Sequence, residues 1–321
     1  MGTAAAVFET TTAAIVTAIE NGAGQWHMPW SAVGVGFPVN PTTGKRYRGG
    51  NVLTLMATAL DAGYGSGEWA TYKQWASVEA QVRKGERGTG CVWWNVNTPT
   101  MTIDDDNQSG GMVELHGRPR FMARTFVVFN AAQVDGHEPA PVMCDSVEQI
   151  DTAQQFFAAI GADVEHRNEG RAYYSPTRDL IVLPPRDSFT DAPAYYATSA
   201  HEHGHWTGHT ERLGRDLTGR YHENAYAVEE LIAELSAAFT CAVLGLSPTP
   251  RPDHAQYLAH WLDVLRADPK ALHSIAGKAQ AATDHLTRLA GHTDTTTNDE
   301  NDDDNDDEVN EEERLPAMAG T

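Results

Sequence analysis

Cysteine is scarce: the 321 residues hold only Cys91, Cys144 and Cys241, too few and too far apart for a disulfide framework or a CxxC metal site. That scarcity suits a reducing compartment, and a cytoplasmic location is the expectation. No stretch approaches the roughly 18 continuous apolar residues of a membrane span. The start of the chain lacks the basic segment of a secretory leader, and Ala6 stands where a myristoylation motif needs Ser or Thr. No internal repeat is visible. Basic residues are also outnumbered, 23 Lys and Arg against 44 Asp and Glu, for a formal charge of −21 that looks hostile to nucleic acid.

The acidic excess is local. Twelve of the acidic residues fall in "DTTTNDENDDDNDDEVNEEE", from Asp294 to Glu313, which contains no base. Such a run cannot bury apolar surface, so residues 292–321 are expected to be a disordered acidic tail. The chain as a whole is 41% hydrophobic, enough to give each of two domains a core.

The patterning reads as α+β. Apolar residues at helical spacing predict a helix over 7–21 and another from Val52 to Leu60, closed by Gly63. "EWATYKQWASVEAQVRKGERG" reads as a helix running into a basic turn, and "TGCVWWNV" and "RTFVVFNAAQV" as strands. Between those strands, residues 102–111 read as a solvated loop. The Pro-rich "DGHEPAPVMCDS" is the expected linker, placed at 138–145 between a first domain (1–137) and a second (146–291). After it, Ser146 and Gln149 match a capping box ahead of "FFAAI", "RAYYS" and "DLIVLPP" form a hairpin, and the rest is mainly helical.

"HEHGHWTGH", residues 201–209, packs four histidines and a glutamate into nine positions. Asp191 can cap a helix with Pro193 in its first turn, which puts His201 and His205 one turn apart on one face. This is the HExxH arrangement, in which two imidazoles bind Zn²⁺ and the carboxylate, here Glu202, takes a proton from water attacking an amide. Another divalent metal is compatible with the same ligands. His203 is expected to face outward, and His209 lies past the helix end. A third ligand is needed, and "NAYAVEELIAELSAAFTCAVLGL" supplies Glu230 and Glu234 one turn apart. A carboxylate in so apolar a run is costly unless paired or metal-bound. The pattern leaves open which of the two binds the ion and which accepts the far N–H of a ligand histidine. A blander reading of Glu229 and Glu230 is that they simply favour a helix N-terminus.

The first domain has a different chemistry. From Lys45 to Arg87 seven bases face four acids, and six of the eight tryptophans lie at or before residue 94. Bases that track phosphates and rings that stack on unpaired bases suit single-stranded DNA of any sequence. Lys45, Arg46, Tyr47, Arg48, Lys73, Arg83 and Lys84 are the candidate DNA-binding residues. Against this, tryptophans are mostly buried, so about half of the six are expected in the core.

"YYATSAHEHGHWTGHTERLGR" and "YAVEELIAELSAAFTCAVLG" closely resemble the metallopeptidase domain of ArdC-type antirestriction proteins. "NPTTGKRYRGGN", "WATYKQW", "QVRKGERG" and "FVVFNAAQVDG" resemble their N-terminal single-stranded-DNA-binding domain, in the same order, so the likeness spans residues 7–290. It implies an α+β ssDNA-binding module followed by a mainly helical, zincin-like metallopeptidase module with a small sheet. The paired-acid helix also resembles that of gluzincins, which implies Glu230 as zinc ligand and Glu234 as its supporting neighbour. Biologically, it implies protection of incoming plasmid or phage DNA, with host restriction-modification subunits as further partners. The competing class is an ssDNA-binding occlusion protein whose zinc is only structural. Tyr221, His222 and Tyr226 are candidate donors to a reacting carbonyl, and "DLIVLPP" a candidate edge for an extended peptide.

Overall fold

The computed structural model describes residues 4–21, 37–97, 120–140, 147–217, 224–246, 258–268 and 270–292. The first module contains α1 (Ala4–Asn21), α2 (Gly50–Ala62), β1 (Trp69–Ala70), α3 (Tyr72–Ser77), β2 (Gln81–Val82), β3 (Thr89–Asn97), β4 (Arg120–Asn130) and β5 (Val134–Asp135). Strands β1, β4 and β3 form an antiparallel sheet with β4 in the middle, and β2 pairs antiparallel with β5. The second module contains α4 (Val147–Ile160), β6 (Asp163–His166), β7 (Tyr173–Ser175), β8 (Leu180–Leu183), α5 (Ala192–Trp206), α6 (Asn224–Val243), α7 (Leu258–Ala267) and α8 (Ala271–Leu289). The expected α+β, two-module architecture is therefore present. No helix among the described residues is long and apolar enough to cross a membrane. Ser146, the 102–111 loop, most of the linker and the acidic tail lie outside the described residues.

Two expectations fail for tertiary reasons. The single helix read from "EWATYKQWASVEAQVRKGERG" is three pieces, β1, α3 and β2. Thr71 opens α3 with a capping box to Gln74, and Glu79, at φ 61, departs from helical geometry just beyond its end. Trp69 and Ala70 pair with β4, and the buried Trp75 donates its indole N–H to Phe129 O at 3.0 Å. Cross-strand partners thus override helical periodicity. The second failure concerns β8. It forms the expected hairpin with β7 but is the central strand, with β6 parallel on its other side. All four of its residues are buried, and its backbone has no open edge for a peptide.

The packing of the helices ties the modules together. One core joins Ile15, Val52, Leu53 and Met56 of α1 and α2 to Leu231, Ile232, Leu235 and Phe239 of α6, with Leu272 and Ile275 of α8. A second joins Phe156 of α4, Ile181 and Leu183 of β8 and Tyr195 and Tyr196 of α5 to Ala237 and Cys241 of α6. Helix α6 is thus buried along two faces at once, which leaves only a narrow third stripe for polar groups. Cys91 and Cys241 are both buried and belong to different cores.

Where α2 meets α8 the approach is very close. A Cβ at Gly50 would stand 2.1 Å from His273 Cδ2, and the His273 ring lies 4.0 Å from that of Phe8. Neither ring nitrogen of His273 has a hydrogen-bond partner, and burial pushes its pKa down to about 4. The unfolded chain, with an ordinary histidine pKa of about 6.5, then takes up this proton before the folded one does. Stability from this group is full above about pH 6.5 and is lost as pH falls toward 4, by on the order of 2–3 kcal/mol. Replacing it, as in His273→Leu, should flatten that part of a chemical-denaturation profile. An acid-side slope that does not change would refute the assignment.

Candidate metal centre

Helix α5 starts where the sequence places it, with the Asp191 carboxylate accepting the Ala194 N–H at 2.8 Å. It stops at Trp206, where Arg212 folds back. The Arg212 guanidinium covers the Trp206 ring at 3.8 Å, donates to Trp206 O, and bonds Asp179 and Tyr174 of the β7–β8 hairpin. The hairpin therefore holds the end of the histidine helix.

On the inner face of α5, His201 and His205 turn their Nε2 atoms toward each other at 3.2 Å. Glu230 of α6 lies opposite, its Oε2 3.6 Å from His201 Nε2 and its Oε1 3.5 Å from His205 Nε2. Behind the rings, Glu234 Oε2 is 3.3 Å from His201 Nδ1, and Glu229 Oε1 is 3.2 Å from His205 Nδ1. Glu229 is within hydrogen-bond distance of His205 Nδ1, Glu234 stands at ion-pair distance from His201 Nδ1, and both Nε2 atoms face the Glu230 carboxylate. Three negative or lone-pair donors converging in a buried place are repulsive unless a cation sits among them. Ligand atoms at tetrahedral angles and bonds of about 2.1 Å stand roughly 3.4 Å apart, close to the three separations seen. The residues fit a divalent ion, and they are the one such group among the described residues.

In the bare side chains the carboxylates draw a proton to the place that a metal ion would take. Burial alone would lower the His205 pKa, but Glu229 and Glu230 outweigh it and hold the imidazole up to about 10. Burial would likewise raise Glu230, yet the two histidines hold it well below the usual carboxylate range. For Glu229 the same contest ends lower too, through His205 and Arg215. Glu202, one residue after His201, is 3% exposed.

The chain as a whole is similar to known proteins. Residues 5–129 match the family described as the N-terminal domain of anti-restriction factor ArdC, and residues 151–278 match the zincin-like metallopeptidase family. The metal-free crystal structure of the antirestriction ArdC protein from plasmid R388 is 36% identical, with a TM-score of 0.69, covering 88% of this chain and 97% of that one. This chain belongs to the ArdC antirestriction family. The Mn(II)-bound structure of the same ArdC protein gives 37% identity and a TM-score of 0.67 over 89% of this chain and 98% of that one. Together with the zincin-like match, it indicates a divalent metal. The uncharacterised protein y4eC of Sinorhizobium fredii is 44% identical over 284 residues, 87% of this chain and 91% of its own length. A DNA primase TraC of Escherichia coli is 36% identical over 284 residues, and the match takes in 85% of this chain but only 26% of TraC.

Within this ArdC-family chain the other candidates fall into distinct places. His203 does not face solvent. It is 1% exposed, its ring 4.8 Å from that of Phe157, and burial pushes its pKa down to about 4. The far side of α5 is covered by α4, which no pattern within α5 reveals. His209 sits in the turn after α5, where its Nδ1 accepts the Glu211 N–H. Tyr226 is half-buried on α6, and Tyr221 and His222 lie outside the described residues. Of the candidate DNA-binding residues, Lys73 and Lys84 are exposed, and Lys45 and Arg46 are half-buried. Tyr47 donates its hydroxyl to Trp69 O at 2.9 Å and packs against two cores. Arg48 pairs with Asp284 of α8 at 2.5 Å. Arg83 spans Glu86, Ala132 O, Val134 O and Asp135, tying the 83–86 turn to β5 and the turn before it. Trp69 and Trp75 are core residues, whereas Trp93 is exposed beside Arg124, its partner in register on β4.

Three residues at the centre escape sequence reasoning in the roles they take: Gly204, Arg215 and Glu229. Gly204 sets how closely the metal helices approach. A Cβ there would lie 2.3 Å from Ser236 Oγ and 3.2 Å from Ala233 Cα. Gly204→Ala gains about 1 kcal/mol in helix propensity, but overpacking costs about 1–3 kcal/mol, and the second obstruction is backbone that cannot rotate away. The expected outcome is net destabilisation in urea titration together with weaker metal binding. Trimming the obstructing hydroxyl in Gly204→Ala/Ser236→Ala should recover part of both, and a stabilised single variant would contradict the close-packing argument.

Proposed function

We propose that this chain is an antirestriction protein that binds single-stranded DNA through its first module and carries a metal-dependent peptidase site in its second. The convergence of His201, His205 and Glu230, with Glu234 and Glu229 behind the two rings, carries this reading. His201, His205 and Glu230 would hold the ion, zinc or another divalent cation such as manganese, and Glu234 would orient His201. When bound, such a cation supplies Lewis acidity toward a peptide carbonyl. Glu202 is the proton carrier: adjacent to a ligand histidine on the same helix, it takes a proton from the attacking water and returns it to the leaving amine. Buried surroundings strengthen every charge interaction in this step.

In the first module, exposed Lys73 and Lys84 track phosphates, with half-buried Lys45 and Arg46 before α2 adding charge and Trp93 offering a stacking ring. The antirestriction ArdC protein of R388 supports placing both modules in defence of incoming plasmid DNA. Host restriction-modification subunits held near that DNA are the proposed peptidase substrate, since tethering raises their effective concentration.

One observation favours a second reading, in which the metal is structural and protection arises by occlusion. The centre is deeply enclosed, with Glu202, His201 and Glu230 all below 10% exposed. Glu202→Gln separates the two in a transformation assay against a restricting host. An enzyme keeps metal and DNA binding but loses protection and proteolysis by about 100-fold or more. Unchanged protection would leave occlusion as the function, whereas Glu230→Gln should lose the metal under either reading.

For the DNA module, charge reversal at Lys73 and Lys84 should weaken binding to a labelled oligonucleotide for every sequence tested. Each phosphate that is no longer neutralised should make the slope of log affinity against log salt shallower by about 0.7. A slope equal to that of the wild type would move the DNA surface elsewhere.

A further inference from the structure

Arg215 lies in the loop that follows α5, and its side chain is only 9% exposed. A guanidinium so enclosed is costly unless its donors are used, and here they are. Its Nε donates to Glu229 Oε2 at 2.9 Å and its Nη2 to Glu229 Oε1 at 2.8 Å, a bidentate pair across the two metal helices. Nη2 also reaches Gly204 O at 2.7 Å, and Nη1 reaches Thr207 Oγ1 at 2.9 Å. The backbone adds a further hold, from Arg215 N–H to Gly208 O at 2.9 Å. Arg215 thus fastens the last turn of α5, including a carbonyl that a helix end leaves without an intrahelical donor, to the first turns of α6.

The oxygen that Arg215 Nη2 grips is also the one facing His205 Nδ1 at 3.2 Å. A clasp between two helices would need only the arginine and one acceptor on each side. Sharing Glu229 Oε1 with the imidazole does something more: it fixes the His205 proton on Nδ1 and the ring plane with it. Nε2 is then the nitrogen that faces His201 and Glu230 and can give its lone pair to an ion there. If Glu229 were displaced, His205 could carry its proton on Nε2 and turn an N–H into the ligand cluster.

We propose that Arg215 and Glu229 form a positioning pair that makes His205 a metal ligand, Arg215 locking the carboxylate that sets the imidazole's tautomer and orientation. The pair mirrors Glu234 behind His201, but its arginine comes from outside both helices, so the state of the loop after α5 is transmitted to the metal. The inference rests on the metal-site reading given under the proposed function.

The test uses the full chain and Mn²⁺ alone as probe, with affinity from calorimetric titration and nitrogen coordination from electron paramagnetic resonance. Glu229→Gln and Arg215→Met should each weaken Mn²⁺ binding by about 10- to 100-fold and lose the coupling from one of two histidine nitrogens. Arg215→Lys, which keeps a charge but not the bidentate fork, should recover part of the affinity. Should Glu229→Gln not fold, Glu229→Asp carries the same comparison, with the carboxylate withdrawn by one methylene. Folded variants that lose thermal stability yet bind Mn²⁺ within twofold of wild type, with both nitrogens still coupled, would overturn the positioning role. If Glu230→Gln binds Mn²⁺ as wild type does, the metal-site reading itself fails and takes this one with it.

Discussion

Burying three carboxylates along one stripe of a helix is tolerable only if opposite charge meets all of them. Helix α6 presents Glu229, Glu230 and Glu234, each at or below 8% exposure, between two apolar faces committed to separate cores. The desolvation penalty of such groups is several kcal/mol per ion when unpaired. His201, His205 and Arg215 supply the counter-charge from α5 and the loop after it, and the close crossing at Gly204 brings them within reach. Remove that proximity and the stripe becomes a liability to the whole fold, because the apolar cores on either side cannot solvate it.

This arrangement explains why the two modules are not independent beads. Helices α1 and α2 of the first module complete the apolar surface of α6, and the Arg48–Asp284 pair with the Gly49 N–H to Gln280 hydrogen bond fastens its basic loop to α8. The residues of the centre and the first module therefore support the same helix from different sides. Stability, the geometry of the centre and the placement of the basic loop are coupled through ordinary packing.

Electrostatics also sort the basic residues of the first module. Arg83 and Arg48 spend their charge on neighbouring carbonyls and carboxylates, as planar guanidinium forks do well. Lys73 and Lys84 carry compact ammonium groups on flexible stems at the surface. Composition alone counts these residues as equals, since it registers the charge and not the shape of the group that carries it.

Much of the centre was legible in the residues. The i, i+4 histidines, the capping Asp191 and the one-turn spacing of Glu230 and Glu234 follow from helical geometry, which is local and periodic. The stop of α2 at Gly63 and the β7–β8 hairpin follow from turn chemistry and apolar spacing for the same reason. What lay beyond reach depended on chain segments far apart. Glu229 and Arg215 became partners only when a loop closed over two helices, and His203 became a core residue only when α4 covered it. The helix expected after residue 68 gave way to strands because β4 and β5 offered hydrogen-bond partners that local periodicity does not encode. In this protein the sequence by itself determined which groups could bind a cation, through spacing along single helices. Tertiary structure alone decided how they are held, because orientation of a buried imidazole is set by carboxylates, carbonyls and rings contributed from elsewhere in the chain.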